Sequence, residues 1–295
     1  RQNRVRPFRT WKMASPDAAA SMFVLLTGAG YTGRRILSML PVDSVAALSR
    51  SRVDTDRRLF PFDLDSASEL PLEPPAPCAV IYTVPPSGEP PDERLETFLA
   101  LVSPTRFVYI STTGVYGDYG GRTVSESSAL KPTNRRAANR VAAEELLTGW
   151  SQQNDVALVI LRAPGIYGPG RLGIDRIRAG TPVIAETDSN PGNRIHVDDL
   201  ARCCVAALDE SVPAGVYNVG DGDHRSSTAF TNEVARQLDL PAPPEIRRAE
   251  AAQQFSRQRM AFLSDSRVVD TTKMRDVLGV IPRYADPADG IRASL

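Results

Sequence analysis

A five-residue apolar run, Met22–Leu26, leads without a break into Thr27-Gly28-Ala29-Gly30-Tyr31-Thr32-Gly33, and a helical segment, Arg34–Leu40, follows at once. Few local patterns restrict a fold more. The first glycine permits a tight turn, and the second lets another group approach the backbone. The third lets the following helix pack against the strand it came from. Further apolar runs recur at Val45–Leu48, Ala79–Val84, Phe107–Ile110 and Val156–Leu161. They are near-continuous rather than alternating, as expected of strands buried on both faces of a parallel sheet. Helical segments lie between them at Asp92–Val102 and Thr133–Trp150. The alternation predicts right-handed βαβ units and an α/β fold, a Rossmann-type doubly wound parallel sheet. Residues 22–170 form the sheet domain in this reading, completed by about 194–222. Residues 171–193 and 223–295 form a smaller substrate-binding region.

Residues 1–21 differ in character, with five cations, one acid and no apolar period. They read as a disordered basic arm, either an upstream remnant or a transit segment, and they lack a signal-peptide core. The 35 basic and 35 acidic side chains of the whole chain cancel. With the arm's excess of +4 set aside, the body carries −4, which argues against bulk binding to nucleic acid. No apolar run reaches the ~20 residues of a membrane span. Cys78, Cys203 and Cys204 have neither metal-ligand spacing nor a disulfide framework. They read as reduced thiols, and the compartment as the cytoplasm, or an organelle if the arm is a transit segment. With only His196 and His224 besides, no metal site is expected.

A glycine pattern of this spacing between strand and helix is a dinucleotide-binding turn. Backbone N–H groups and the positive end of the helix face the pyrophosphate, so Gly28, Gly30, Tyr31, Thr32 and Gly33 are candidate cofactor-binding residues. An NAD site places an acid at the end of the second strand to bind the ribose 2′-hydroxyl. Here the strand ends in Ser49-Arg50-Ser51-Arg52. Arginine binds a phosphate as a charged fork, so NADP is preferred over NAD, with Arg50 the main clamp and Arg52 the second. Asp63 is placed to accept from the adenine amino group or to cap a turn. Thr83, at the end of the third run, joins the cofactor set.

Five segments then resemble, in order and spacing, the extended branch of the short-chain dehydrogenase/reductase superfamily, the NAD(P)-dependent epimerase/dehydratase group. They are residues 27–33 (TGAGYTG), 108–117 (VYISTTGVYG), 161–171 (LRAPGIYGPGR), 194–201 (RIHVDDLA) and 216–222 (VYNVGDG). The resemblance implies a Ser or Thr at the reacting oxygen, here Thr112 after Ser111. It also implies a helix-borne Tyr-x-x-x-Lys for proton transfer and ribose binding. Those two positions fall on Arg136 and Arg140, so the chain resembles the group's atypical members.

Arginine stays protonated and cannot serve as acid or base. Arg140 can take over the ribose-holding role of Lys. Arg136, Arg140, Ala143, Leu147 and Trp150 share one helical stripe, which predicts both arginines facing inward toward cofactor or an anionic substrate. Tyr116 is the leading candidate for the proton, ahead of Tyr119, Tyr167 and a water held by Thr112. The resemblance puts Pro164-Gly165-Ile166 against the nicotinamide and Ser111 with the cofactor. Gly114, Arg136 and Arg194 are assigned to substrate, and Arg194 can equally pair with an acid. His196 reads as a pin between regions and Asp198 as a helix N-cap.

The expected function is an NADP-binding oxidoreductase or epimerase acting on a hydroxyl or carbonyl carbon, such as that of a sugar or sugar nucleotide. Its rivals are a non-catalytic NADP(H) sensor or scaffold and an interaction protein with an empty fold. Homodimers through the Thr133–Trp150 helix are common in the resembling group.

Overall fold

The computed structural model describes residues 9–10, 22–50, 56–88, 90 and 92–295. The basic arm, apart from Arg9–Thr10 pairing with Leu72–Glu73, and Arg52 lie outside the described residues. The sheet has seven parallel strands: β1 (Phe23–Thr27), β2 (Val45–Ser49), β3 (Leu59–Pro61), β4 (Cys78–Tyr82), β5 (Arg106–Thr112), β6 (Ala157–Ala163) and β7 (Gly215–Asn218). Their spatial order is β7-β6-β5-β4-β1-β2-β3, doubly wound outward from β1. Helices α1 (Tyr31–Met39), α2 (Glu93–Ala100), α3 (Arg135–Asn154) and α4 (Val197–Ala206) cover it.

Alternate residues of each strand enter opposite layers, which is why the runs are apolar throughout. Val24, Leu26, Val108, Ile110 and Leu161 pack with Ile36 and Leu37 of α1 and with Leu200, Cys203 and Cys204 of α4. Phe23, Leu25, Phe107 and Tyr109 pack with Leu95 and Phe98 of α2 and with Ala143 and Leu147 of α3. Buried Arg106 ties the layers together at the sheet's lower edge, donating to the carbonyls of Ala207 (2.5 Å) and Val212 (2.6 Å) just past α4. A cation there also complements the negative end of the helix. All three cysteines are free thiols, and burial pushes the Cys78 thiol up to about 12.

Several boundaries differ from those expected. α1 begins at Tyr31 rather than Arg34, so Gly33 lies inside its first turn. α3 runs from the Asn134 cap, whose side chain accepts from the Ala137 N–H (3.0 Å), to Asp155, held in the left-handed region at φ 54°. β5 extends past its apolar stretch to Thr112, because backbone pairing of Thr112 with Ala163 carries the ladder onward.

Beyond β6 the chain forms short parallel pairs. Gly165–Tyr167 pairs with Arg194–His196, Val183–Ile184 with Glu245–Ile246, and Thr123–Val124 with Val268–Val269. Tyr167, Leu172, Ile177, Phe230, Val234 and Ile291 make a separate small core there.

Candidate functional site

The glycine turn sits at the C-terminal edge of the sheet, where open α/β sheets bind ligands. Gly28 lies at φ +100°, and its N–H donates to the Leu48 carbonyl (3.0 Å), tying the turn to β2. A Cβ on Gly28 would stand 2.4 Å from Thr83 Oγ1, and one on Gly33 would stand 2.0 Å from the Gly28 carbonyl oxygen. Thr83 in turn donates to the Gly28 carbonyl (2.8 Å). Gly30 is different, since a Cβ there would meet nothing within 4 Å. It caps α1 without a side-chain hydrogen bond, and no acid occupies the first turn. The turn is therefore closed against the protein and open outward, with free backbone donors at the positive end of a nine-residue helix. That is the fit a dinucleotide pyrophosphate requires.

Arg50 immediately follows β2, two residues past Leu48. Its side chain is 71% exposed, with Asp65 at 3.7 Å as its acid neighbour. Asp63 is exposed, and its carboxylate accepts from the Asp65 N–H (3.2 Å), so it caps a turn. The strand before it ends at Pro61.

At the end of β5, Thr112 is half-buried, and its Oγ1 accepts from the Gly114 N–H (3.1 Å). Gly114 stands beside it, where a Cβ would lie 3.3 Å from that hydroxyl oxygen. Pro164, Gly165 and Ile166 continue the neighbouring strand β6 and are all half-buried.

Tyr116, expected to handle the proton, does not face this edge. It is wholly buried, donates to Asn218 Oδ1 (2.6 Å) and accepts from Arg162 (3.0 Å). Burial pushes its phenol above the ordinary range. Ser111 is likewise turned inward, donating to Glu144 Oε1 (2.5 Å), and Glu144 binds Arg162 at 2.6 Å. Ser111, Glu144, Arg162, Tyr116 and Asn218 thus form one connected buried network. The sequence reading did not find Glu144, Arg162 or Asn218 in it. The available sign was an acid set between Ala143 and Leu147 in an apolar stripe.

The inward stripe also needs correction. Arg136 is exposed, because it lies in the first turn of α3 beyond the edge of the sheet. Arg140 is half-buried, but its guanidinium already has protein partners. It donates to the Ile110 carbonyl and to Tyr109 Oη (3.2 Å), with the Tyr109 ring centroid 5.5 Å away. Arg194 is buried and committed to the carbonyls of Arg225 (2.7 Å) and Ser226 (2.8 Å) over the Phe230 ring, a structural role in place of the substrate contact. Tyr167 is buried in the second core, and Tyr119 Oη donates to the Ala129 carbonyl (2.7 Å).

Comparison with known proteins places this architecture. The profile of the NAD dependent epimerase/dehydratase family matches residues 94–220. The dTDP-glucose 4,6-dehydratase of Neisseria gonorrhoeae is 26% identical over 206 residues, which are 65% of this chain and 57% of that protein. Over residues 94–220 the chain is similar to the NAD dependent epimerase/dehydratase family.

The dTDP-D-glucose 4,6-dehydratase of Bos taurus is 26% identical over 141 residues, 45% of this chain and 40% of that protein. This chain spans about half the length of the curated relatives it matches. Among solved structures, a conserved protein of unknown function from Silicibacter pomeroyi DSS superposes with a TM-score of 0.77 at 26% identity, covering 92% of this chain and 98% of that one. MoeE5 in complex with UDP-glucose and NAD shares the fold, with a TM-score of 0.70 at 22% identity, over 92% of this chain and 97% of its own.

Within this Rossmann-type fold, His196 is the residue that caps α4. Its Nδ1 accepts from the Asp198 N–H (3.1 Å), and its Nε2 meets Ser294 Oγ (3.1 Å). The expected N-cap, Asp198, lies in the first turn instead and pairs with Arg35 of α1 at 3.2 Å.

Proposed function

We propose that the protein is an NAD(P)-dependent oxidoreductase or epimerase of the atypical extended short-chain type. It prefers NADP and acts at a hydroxyl- or carbonyl-bearing carbon of a sugar or sugar nucleotide. The single observation that carries the reading is the glycine turn, closed at Gly28 and Gly33 and open at Gly30. The sugar-nucleotide relatives support the substrate class. The lack of an acid in Ser49-Arg50-Ser51-Arg52 at the end of β2, with exposed Arg50 there instead, supports NADP.

A bound nicotinamide dinucleotide supplies the hydride donor or acceptor. Backbone N–H groups of Gly30, Tyr31 and Thr32 would hold its phosphates, Arg50 would bind a 2′-phosphate, and Pro164, Gly165 and Ile166 would contribute to the nicotinamide side of the site. Thr112 accepts from Gly114 and keeps its own hydroxyl proton to donate to the substrate oxygen, so it orients and polarises the reacting C–O bond. Three free thiols support residence in a reducing compartment such as the cytoplasm. The exposed face of α3 is the surface for a homodimer.

A second reading, an NADP(H)-responsive module without turnover, draws on one observation. The residue at the proton-transfer position, Arg136, is exposed, and the nearest alternative, Tyr116, is committed to Arg162 and Asn218. Screening NADPH-dependent reduction and epimerisation of UDP- and dTDP-sugars decides between them. Thr112→Ala should abolish turnover while nucleotide affinity stays within about twofold. Tight NADPH binding with no turnover of any sugar nucleotide or carbonyl would establish the module reading.

A further inference from the structure

A second exposed cation, Arg171, lies against the residue that follows the glycine turn's Gly30. Tyr31, the first residue of α1, is gripped on both sides by the loop that follows Gly165–Tyr167. Beneath it, its hydroxyl is tucked against Gly168, where a Cβ would lie 2.7 Å from Tyr31 Oη, so only glycine fits. Above it, the loop turns back through an Arg171 N–H to Gly168 carbonyl bond (2.9 Å) and lays the Arg171 guanidinium on the Tyr31 ring, 3.8 Å from its centroid. Stacking uses the flat face of a guanidinium and leaves its in-plane N–H donors unspent. No acid or carbonyl among the described residues accepts from them, whereas Arg35, its neighbour on α1, is committed to Asp198. An exposed arginine, fixed by stacking and with its donors free, thus sits beside the open ground over Gly30.

The geometry points to Arg171 as a phosphate-binding residue, held by Tyr31 over the glycine turn to take the pyrophosphate of the dinucleotide. The inference rests on the dinucleotide reading above and extends it to a residue far from the glycine motif in sequence. Arg171 meets the pyrophosphate, which NADPH and NADH share, and Arg50 meets the 2′-phosphate, which only NADPH carries. The two arginines therefore have separable signatures.

The test is a titration of NADPH and NADH, at two salt concentrations, against the full chain and its variants. Arg171→Ala should weaken both nucleotides by about ten- to a hundredfold, the worth of a charge-assisted hydrogen bond. It should flatten the salt dependence and leave the melting temperature of the nucleotide-free protein unchanged. Arg171→Lys should recover part of the affinity. Tyr31→Ala, which removes the ring that Arg171 stacks on, should behave like Arg171→Ala. Affinities of Arg171→Ala within about twofold of wild type for both nucleotides would overturn the assignment while leaving the dinucleotide reading intact. So would a melting temperature that falls in step with the affinity, because Arg171 would then serve packing. A wild-type protein that binds neither nucleotide would overturn both.

Discussion

Glu144 and Arg162 are each almost fully buried, at 4% and 5% exposure, and they bond to each other, to Ser111 and Tyr116, and to the Glu126 carbonyl. A buried pair of this kind adds little against a well-packed apolar substitute, but removing one partner strands a charge in the interior. Glu144→Ala should therefore cost about 3–5 kcal/mol in urea unfolding. A loss below about 1 kcal/mol would mean the network is not closed in the way described. Asp221 is the opposite case, since its Oδ2 has no partner and burial raises its carboxyl to about 7. The folded protein then keeps a proton that the unfolded chain releases near pH 4, so stability falls as pH rises from about 4 to about 7 and is level above. Asp221→Asn removes that titration and keeps an acceptor for the Asp223 N–H. Its melting temperature should gain on the wild type across this window, and parallel pH profiles would contradict the assignment.

At the scale of elements, the strands were legible because both faces of the sheet are covered, which forces continuous apolar runs. Their C-terminal ends were not. Ser111, Thr112 and Arg162 are polar, and backbone pairing and the buried network hold them, leaving no apolar signal. The glycine turn could be read because its constraints are local. Tyr116 could not, because its partners stand 46 and 102 residues away in sequence. The stripe on α3 was read correctly at Ala143 and Leu147, both buried. It failed at Arg136, because a helix's first turn can run past the sheet it packs on. Beyond β6, two- and three-residue pairings carry too few side chains to leave a period. The turn's closure gives the prediction at this scale. Gly33→Ala drives a methyl into the Gly28 carbonyl, so nucleotide affinity should fall by more than about tenfold with the far side of the sheet intact. Unchanged affinity would mean the turn can open at little cost.

For the whole molecule, two halves meet at one edge of the sheet. The Rossmann layers set the glycine turn, Arg50 and Thr112 in a row. The later chain returns through His196, Arg35–Asp198 and the Gly168–Arg171 loop to cover it. A ligand bound at that edge contacts both halves, so NADPH should raise the melting temperature of the intact protein in proportion to the logarithm of its concentration. The central claim, that this edge is a site for a 2′-phosphorylated dinucleotide, is tested most directly by calorimetric titration of NADPH and NADH into wild type and Arg50→Ala. NADPH should bind tighter than NADH by about tenfold or more, with the difference abolished in the variant. NADH binding as tightly as NADPH to the wild type would contradict it.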